Sequence, residues 1–117
     1  MSVRSFSFDE QPWERVDDRL RRFVADGMGV TVTRYAFEPG GRFPHHRHDQ
    51  EQVTYVVEGE LTFVVENERY PLRADGVIII PRGLPHRAEA GPHGAQVISV
   101  VTPRRSGPEA VEMLEVD

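Results

Sequence analysis

Short apolar runs, separated by polar segments rich in glycine and proline, recur along most of the chain. Seven of these runs predict β-strands, at 30–37, 52–57, 60–65, 69–72, 77–80, 86–90 and 96–101. They follow one another at roughly 8 to 12 residues, a spacing typical of a β-sandwich or barrel. The polar residues at 58–60 predict a tight hairpin, and those at 66–68 predict the next turn. The run at 77–80 is continuously apolar, which predicts a strand covered on both faces.

Two segments leave alternatives open. Apolar residues in 16–24 fit helical spacing, but a strand through 22–25 fits as well. The acidic segment 109–117 alternates apolar and polar residues, as an edge strand or a frayed tail would. We therefore expect one domain over residues 1–117, with a barrel at about 30–101, an N-terminal strand or arm at 1–29 and a C-terminal tail at 102–117.

Composition excludes several classes of chemistry. The chain has 117 residues, no cysteine and no lysine, and all 14 of its basic residues are arginine. Thiol nucleophiles, thiolate metal ligands and lysine Schiff bases are therefore excluded. The formal net charge is −5 and the arginines are scattered, so a nucleic-acid partner is not expected. We expect no membrane partner either, since no apolar run approaches the roughly 20 residues of a membrane helix. The absence of an apolar signal segment predicts a cytoplasmic location.

The candidate chemistry lies in a histidine pattern. Side chains on a strand alternate between its faces, so His46, His48 and Gln52 would share one face. His86 follows the apolar run at 77–80. Three imidazoles and an amide oxygen would hold one divalent transition metal, namely Fe, Mn, Ni, Co or Zn. Glu51 is the alternative fourth ligand, because a one-residue bulge would turn it inward.

The residues around these histidines resemble the cupin superfamily. Its first motif, G-x5-H-x-H-x3,4-E-x6-G, is matched by Gly40, His46, His48 and Gly59, with Gln52 at the position of the glutamate. Its second motif, G-x5-P-x-G-x2-H-x3-N, is matched in part at residues 81–86. The resemblance implies an all-β fold, an antiparallel jelly-roll (double-stranded β-helix) cupin barrel with a metal in its mouth. It also implies a homodimer and a small-molecule substrate.

Within the superfamily, the chain is similar to the pectin-degradation cupins that convert unsaturated uronates to their linear keto form. The similarity lies in P-W-E at 12–14 and in E-Q-V-T-Y-V-V-E-G-E at 51–60. In that group the last barrel strand carries an aspartate, an aromatic residue and an arginine. Ser99 stands at the position of the aspartate, Val101 at that of the aromatic residue, and Arg105 matches the arginine. Arg105 and Ser99 are therefore the candidate catalytic residues.

Three functions are compatible with this pattern. The first is a metal-dependent isomerase or lyase acting on a small oxygenated acid or sugar of uronate type. The second is a non-haem iron dioxygenase acting on an apolar or aromatic small molecule. Three histidine ligands and an apolar cavity wall would suit it. The third is a cupin that binds a small ligand without turnover. We expect an enzyme of the first class.

Overall fold

The computed structural model describes residues 2–105 and 111–114, which form an almost entirely β structure. The strands are β1 (Glu14–Asp17), β2 (Leu20–Asp26), β3 (Thr31–Phe37), β4 (Arg42–His48), β5 (Glu51–Val65), β6 (Glu68–Arg73), β7 (Val77–Ile80), β8 (His86–Thr102) and β9 (Val111–Met113). A short 3-10 helix, Phe8–Glu10, precedes them. No helix within the described residues has the length and apolarity needed to cross a bilayer.

All strand pairs are antiparallel and belong to one curled sheet. The order β1-β2-β3-β8-β4-β9 forms one path, and β5 pairs with β6, β7 and β8. The long strands β5 and β8 pair with each other along most of their lengths. The predicted all-β cupin barrel is confirmed.

Two glycines allow these long strands to continue where the sequence predicts an interruption. The hairpin predicted at 58–60 is wrong, because β5 runs through it with Gly59 at a φ of 83°. The register with β8 shifts on both sides of this glycine. A Cβ atom on Gly59 would collide with the carbonyl oxygen of Gly94, which itself has a φ of 76°. The strands bend together at this close approach, so the two predicted strands at 86–90 and 96–101 are one strand, β8.

The turn predicted at 66–68 is confirmed. Glu66 and Asn67 have φ values of 49° and 69°, and Val65 lies opposite Glu68. Positive φ at both central residues is the mark of a type I′ turn, which matches the twist of the strands that it joins. The turn therefore connects β5 directly to β6.

The ambiguous segment 16–24 is a strand hairpin of β1 and β2. In β2, Leu20 lies opposite Phe37 on the core face, and Phe23 lies opposite Arg34 on the outer face. Phe23 is nevertheless buried, because the Trp13 ring packs on it with centroids 3.8 Å apart. Burial on both faces explains why the apolar spacing also fitted a helix.

The apolar run at Val77–Ile80 is not covered on both faces. Ile80 is buried in the core, whereas Val77 and Ile79 are 51% and 61% exposed. The prediction was wrong because β7 pairs with β5 alone and nothing in the described residues packs on its outer side. Tyr55 and Val57 of β5 are also exposed on this face. We call these four side chains the outer apolar face.

At the C-terminal end, residues 111–113 form the edge strand β9, which pairs with β4. The remainder of the predicted segment, 109–110 and 115–117, lies outside the described residues. The Arg47 guanidinium and the Glu112 carboxylate, 2.8 Å apart, tie β9 to β4. This pairing places Val111 and Met113 beside the histidine-bearing strand.

Candidate metal centre

Strand alternation and strand pairing bring the three predicted histidines together. On β4, His46 and His48 are buried while Arg47 between them is exposed, as the period of two requires. His86 begins β8 and lies directly opposite His46 in the β4–β8 pair. The site is thus assembled from strands that are far apart in the chain.

Each imidazole ring is held by a backbone carbonyl two residues away. Nδ1 of His46 lies 2.7 Å from the oxygen of Pro44, Nδ1 of His48 lies 3.1 Å from that of Gln50, and Nδ1 of His86 lies 2.8 Å from that of Leu84. A carbonyl oxygen only accepts, so each Nδ1 carries the hydrogen. Each Nε2 therefore presents a lone pair, the state required of a metal ligand.

These Nε2 atoms converge on one point. The three residues each offer a ligand atom within 4.8 Å of the others, and the His46 and His86 ring centroids are 4.2 Å apart. In the described part of the chain, the buried Nε2 of His86 has no hydrogen-bond partner. A buried polar atom without a partner is costly unless something absent from the protein satisfies it. A cation among the three rings would do so.

Gln52 lies beside the triad. Its Oε1 lies 3.0 Å from Nε2 of His48. Both atoms are acceptors when the ring hydrogen is on Nδ1, so this approach is favourable only with a cation between them. Two donors at right angles on an ion with bonds of about 2.1 Å lie roughly 3 Å apart. Glu51, the alternative ligand, is exposed and faces away.

The orientation of Gln52 is fixed by two hydroxyl groups. Its Nε2 donates to Oγ1 of Thr54 over 2.9 Å, and Oγ1 of Thr54 lies 2.7 Å from Oγ of Ser99. Thr54 is completely buried and Ser99 is 7% exposed. Ser99, predicted as catalytic, therefore lies in the chain of hydrogen bonds that turns the amide oxygen towards His48.

Burial lowers the pKa of all three histidines and so favours their neutral form. Burial lowers the pKa of His46 to about 3, and the neighbouring His86 adds to the effect. Burial also lowers the pKa of His86 to about 4, although the hydrogen bond that the ring donates to the Leu84 carbonyl opposes this shift. For His48, burial and then the charge of Arg105 lower the pKa. The lone pairs are therefore available for a metal at pH 7.

Two spaces lie near the triad, and His46 and His86 line the first of them. The first, which we call the inner chamber, has a volume of about 30 Å³. It is lined by Tyr35, Phe37, Phe43, His46, Gln52, Leu61, Phe63, His86, Ala88, Val97, Ser99 and Arg105. Such a volume holds an ion with a water molecule or two, not a sugar.

The second space, the outer cavity, has a volume of about 510 Å³. It is lined by Glu14, Arg22, Val24, Asp26, Thr31, Thr33, Phe43, Arg105, Val111 and Met113. Arg105 and Phe43 line both spaces, so the two spaces adjoin at these side chains. Sequence reasoning identified Arg105 but missed Arg22, which has no motif around it and reaches the cavity through the register of β2 on β3.

The donor set fits a first-row divalent metal. Imidazole nitrogens and an amide oxygen suit Fe, Mn, Ni, Co and Zn, and a neutral donor set leaves the ion its full charge. His46, His48, His86 and Gln52 are the residues that would hold it.

One family is indicated by the two sequence motifs, the barrel fold and the histidine triad. A comparison with family models tests this assignment. The model of the cupin domain matches residues 33–101. The chain belongs to the cupin family. This cupin therefore carries the expected fold and a triad able to bind a metal.

Individual relatives give a narrower likeness. The cupin is 26% identical over 107 residues to the pectin degradation protein KdgF of Dickeya dadantii (strain 3937), covering 88% of this chain and 96% of KdgF. It is 36% identical over 78 residues to the polyketide synthase CurC of Streptomyces cyaneus, over 65% of this chain; the match spans 48% of CurC, about half its length. The solved structure of KdgF from Halomonas sp. superposes with a TM-score of 0.84 at 25% identity, covering 90% of this chain and 97% of that chain. The cupin thus resembles the pectin-degradation cupins, as the sequence indicates.

Proposed function

We propose that this cupin is a metal-dependent isomerase or lyase acting on a small oxygenated acid or sugar of uronate type. The observation that carries the proposal is the buried histidine triad, whose ligand atoms converge beside Arg105. The likeness to KdgF over nearly the whole chain supports a uronate-like substrate. The metal would be held by the three histidines and Gln52.

The bound ion would act as a Lewis acid on a substrate oxygen and would stabilise developing negative charge there. Arg105 lines the inner chamber, and its charge lowers the pKa of all three histidines, so the guanidinium lies close to the triad. A planar guanidinium binds a carboxylate through two hydrogen bonds. Arg105 therefore orients the acid group of the substrate, and so fixes which carbon lies nearest the triad.

Proton transfer falls to hydroxyl groups. No carboxylate among the described residues lines the inner chamber, where the hydroxyl-bearing side chains are Tyr35 and Ser99. The hydroxyl groups of Thr54 and Ser99 are hydrogen-bonded to each other, and with Thr54 as the donor the hydrogen of Ser99 is free for a substrate oxygen. Six apolar side chains of the chamber wall exclude bulk water and thereby strengthen these polar contacts.

The test combines metal analysis with turnover. Protein purified without chelators is analysed for metal per chain, then incubated with unsaturated uronates while the absorbance of the conjugated double bond is followed. We expect near-stoichiometric metal and loss of absorbance that a chelator abolishes. Full metal occupancy with ligand binding but no turnover would contradict the proposal and indicate a binding protein.

The apolar wall of the inner chamber favours a second candidate, a non-haem iron dioxygenase on an apolar small molecule. Phe37, Phe43, Leu61 and Phe63 face the chamber and suit oxygen there, while an aromatic or diketone substrate would lie in the larger outer cavity. The likeness to CurC is in keeping with such a substrate. Oxygen uptake that depends strictly on iron would support this candidate over the isomerase or lyase.

We also propose a homodimer that pairs the outer apolar faces. Tyr55, Val57, Val77 and Ile79 leave between 37% and 61% of their surfaces exposed on adjacent strands. Contiguous exposed apolar side chains of this kind mark interfaces. Sedimentation should give a dimer for the wild type and a monomer for Ile79→Asp, with Arg69→Asp as a control outside the patch. A wild-type monomer would exclude this interface.

A further inference from the structure

Two guanidinium groups share the outer cavity. Arg22 extends from β2, opposite Tyr35 of β3, and Arg105 follows the end of β8. Within residues 2–105 and 111–114, the Nε atoms of both arginines are buried and have no hydrogen-bond partner. Both side chains also line the outer cavity, where their guanidinium groups offer donors to a ligand that carries acceptors.

Arg22 is only partly neutralised by the protein. One of its terminal nitrogens lies 2.7 Å from a carboxylate oxygen of Glu14, whose side chain is 59% exposed. Burial opposes the charge of Arg22, but the hydrogen bonds and charges of Glu14 and Tyr35 outweigh it and raise the pKa of the guanidinium. An exposed partner can swing into solvent at little cost. The Arg22 guanidinium thus remains charged and able to accept an anion.

Arg105 is fixed between the two spaces. Its backbone N–H donates to Oγ1 of Thr31 over 3.0 Å, and the hydroxyl of Thr31 donates to the carboxylate of Asp26. The carboxylate of Asp26 thus accepts a hydrogen bond from a neutral hydroxyl and forms no ion pair with Arg105. The Arg105 side chain reaches both the inner chamber and the outer cavity.

The sizes of the two spaces decide where the body of a ligand lies. A chamber of about 30 Å³ has room for an ion and little else, whereas the outer cavity of about 510 Å³ can hold a molecule of several carbon atoms. Val24, Phe43, Val111 and Met113 supply apolar wall between the two arginines. The ligand therefore has one end at Arg105 beside the triad and extends towards Arg22.

We propose that the outer cavity binds a small dianion, with one anionic group held by Arg105 and the second held by Arg22. This inference rests on the proposed function, because it places the substrate's acid group on Arg105. It goes further in assigning Arg22 as the residue that selects a second oxyanion at the distal end of the substrate. Arg22 is then a specificity-determining residue that touches the substrate away from the reacting atoms.

The test measures binding of unreactive acids to the metal-loaded protein by calorimetry at low ionic strength. Succinate, adipate and suberate are each compared with the monocarboxylate of the same chain length. We expect one dicarboxylate to bind at least about 10-fold more tightly than its monocarboxylate, the gain of one hydrogen-bonded charge pair. Arg22→Gln should abolish this preference, and Arg105→Gln should weaken the binding of both ligands.

Arg21→Gln is the matched control, because Arg21 is the adjacent residue on β2 and stacks on Trp13 at the outer surface. Glu14→Gln keeps the fold and the guanidinium but removes the competing carboxylate, so it should strengthen dicarboxylate binding. A preference that survives Arg22→Gln would place the second carboxylate elsewhere, on the metal for example, and would overturn the inference. Equal binding of both acids by the wild type would overturn it as well.

These outcomes are separate from those of the proposed function. Turnover of unsaturated uronates without any preference for dicarboxylates would overturn the inference alone. A dicarboxylate preference that depends on Arg22, in a protein that turns over no uronate, would instead overturn the choice of reaction and leave the dianion site in place.

Discussion

The inner chamber and the outer cavity differ in how their polar groups are satisfied. Around the chamber, the Nδ1 atoms of the three histidines and the amide nitrogen of Gln52 have protein partners, whereas the buried Nε2 of His86 has none among the described residues. In the outer cavity, Arg22 and Arg105 retain buried Nε donors for which the described residues offer no partner. Under the proposed function, the chamber would hold one ion and the outer cavity would hold the substrate.

This difference separates two tasks that a single site must perform. A metal requires donors at fixed positions, and hydrogen bonds to the backbone supply that rigidity. A substrate that enters and leaves requires donors that water can satisfy in its absence. Variants of the chamber should therefore affect the metal, and variants of the cavity should affect the substrate alone.

The largest effect should come from pH acting on the chamber of the metal-free protein. The pKa of His46 lies at about 3 and that of His86 at about 4 in the folded state, below the ordinary value of 6.5. Below pH 6.5 the unfolded chain therefore binds more protons, and the folded state loses stability as the pH falls towards 4. Each histidine contributes about 1.4 kcal/mol per pH unit over this window. Urea denaturation at several pH values measures the slope.

The control for this slope is the double variant His46→Asn, His86→Asn. It lacks the two strongly shifted groups, so its stability should fall less steeply between pH 6.5 and 4. An identical slope in both proteins would show that carboxylates, and not the triad, dominate the acid sensitivity.

The next effect is on metal affinity. His86→Ala should weaken metal binding by on the order of 100-fold or more, since loss of an outer partner of a ligand alone costs 10–100-fold. His93→Ala, at an exposed position of the same strand, is the matched control. Equilibrium dialysis with elemental analysis gives the affinities. Wild-type occupancy in His86→Ala would contradict the assignment of the site.

Arg105→Gln should impair action on the substrate and leave metal binding unchanged. Loss of a charged hydrogen-bonding partner costs about 2 kcal/mol, which lowers kcat/KM for an acidic substrate by roughly 30-fold. Metal content should remain that of the wild type, because Arg105 does not belong to the donor set. Loss of both metal and activity would show that Arg105 also supports metal binding. That result would contradict the separate roles proposed for the chamber and the cavity.

The smallest of these effects tests the chain that orients Gln52. Thr54→Val keeps the shape of the side chain but removes the hydroxyl that accepts from the Gln52 amide. We expect metal affinity to fall by about 10-fold. Thr62→Val, on the same strand but outside the site, should leave affinity unchanged. Equal metal affinities in Thr54→Val and Thr62→Val would mean that the Gln52 amide does not need its hydrogen bond to Thr54.

The sequence was sufficient for the features that depend on local alternation. Burial along β5 alternates as the parity of Gln52 and Thr54 requires, and the exposed Tyr55 lies on the other face. The type I′ turn at Glu66 and Asn67 could be predicted because polar residues there interrupt two apolar runs. These features depend on neighbours in the sequence and need no knowledge of the tertiary fold.

Features that depend on distant strands could not be predicted. Gly59 bends β5 because Gly94 of β8 lies against it, and a glycine between two glutamates reads as a turn when that contact is unknown. Arg22 reaches the cavity only because β2 pairs with β3 in one register. The exposure of Ile79 likewise depends on the absence of any described element over β7, which an apolar run does not reveal.

The direct pairing of His46 with His86 joins β4 to the start of β8. A metal held by both would act as a removable cross-link that closes the long loop between these positions. Because the unfolded chain offers no preformed site, an ion that binds only the folded barrel shifts the folding equilibrium by mass action. The concentration of free metal in the cell would then help to set how long each copy of this protein survives proteolysis.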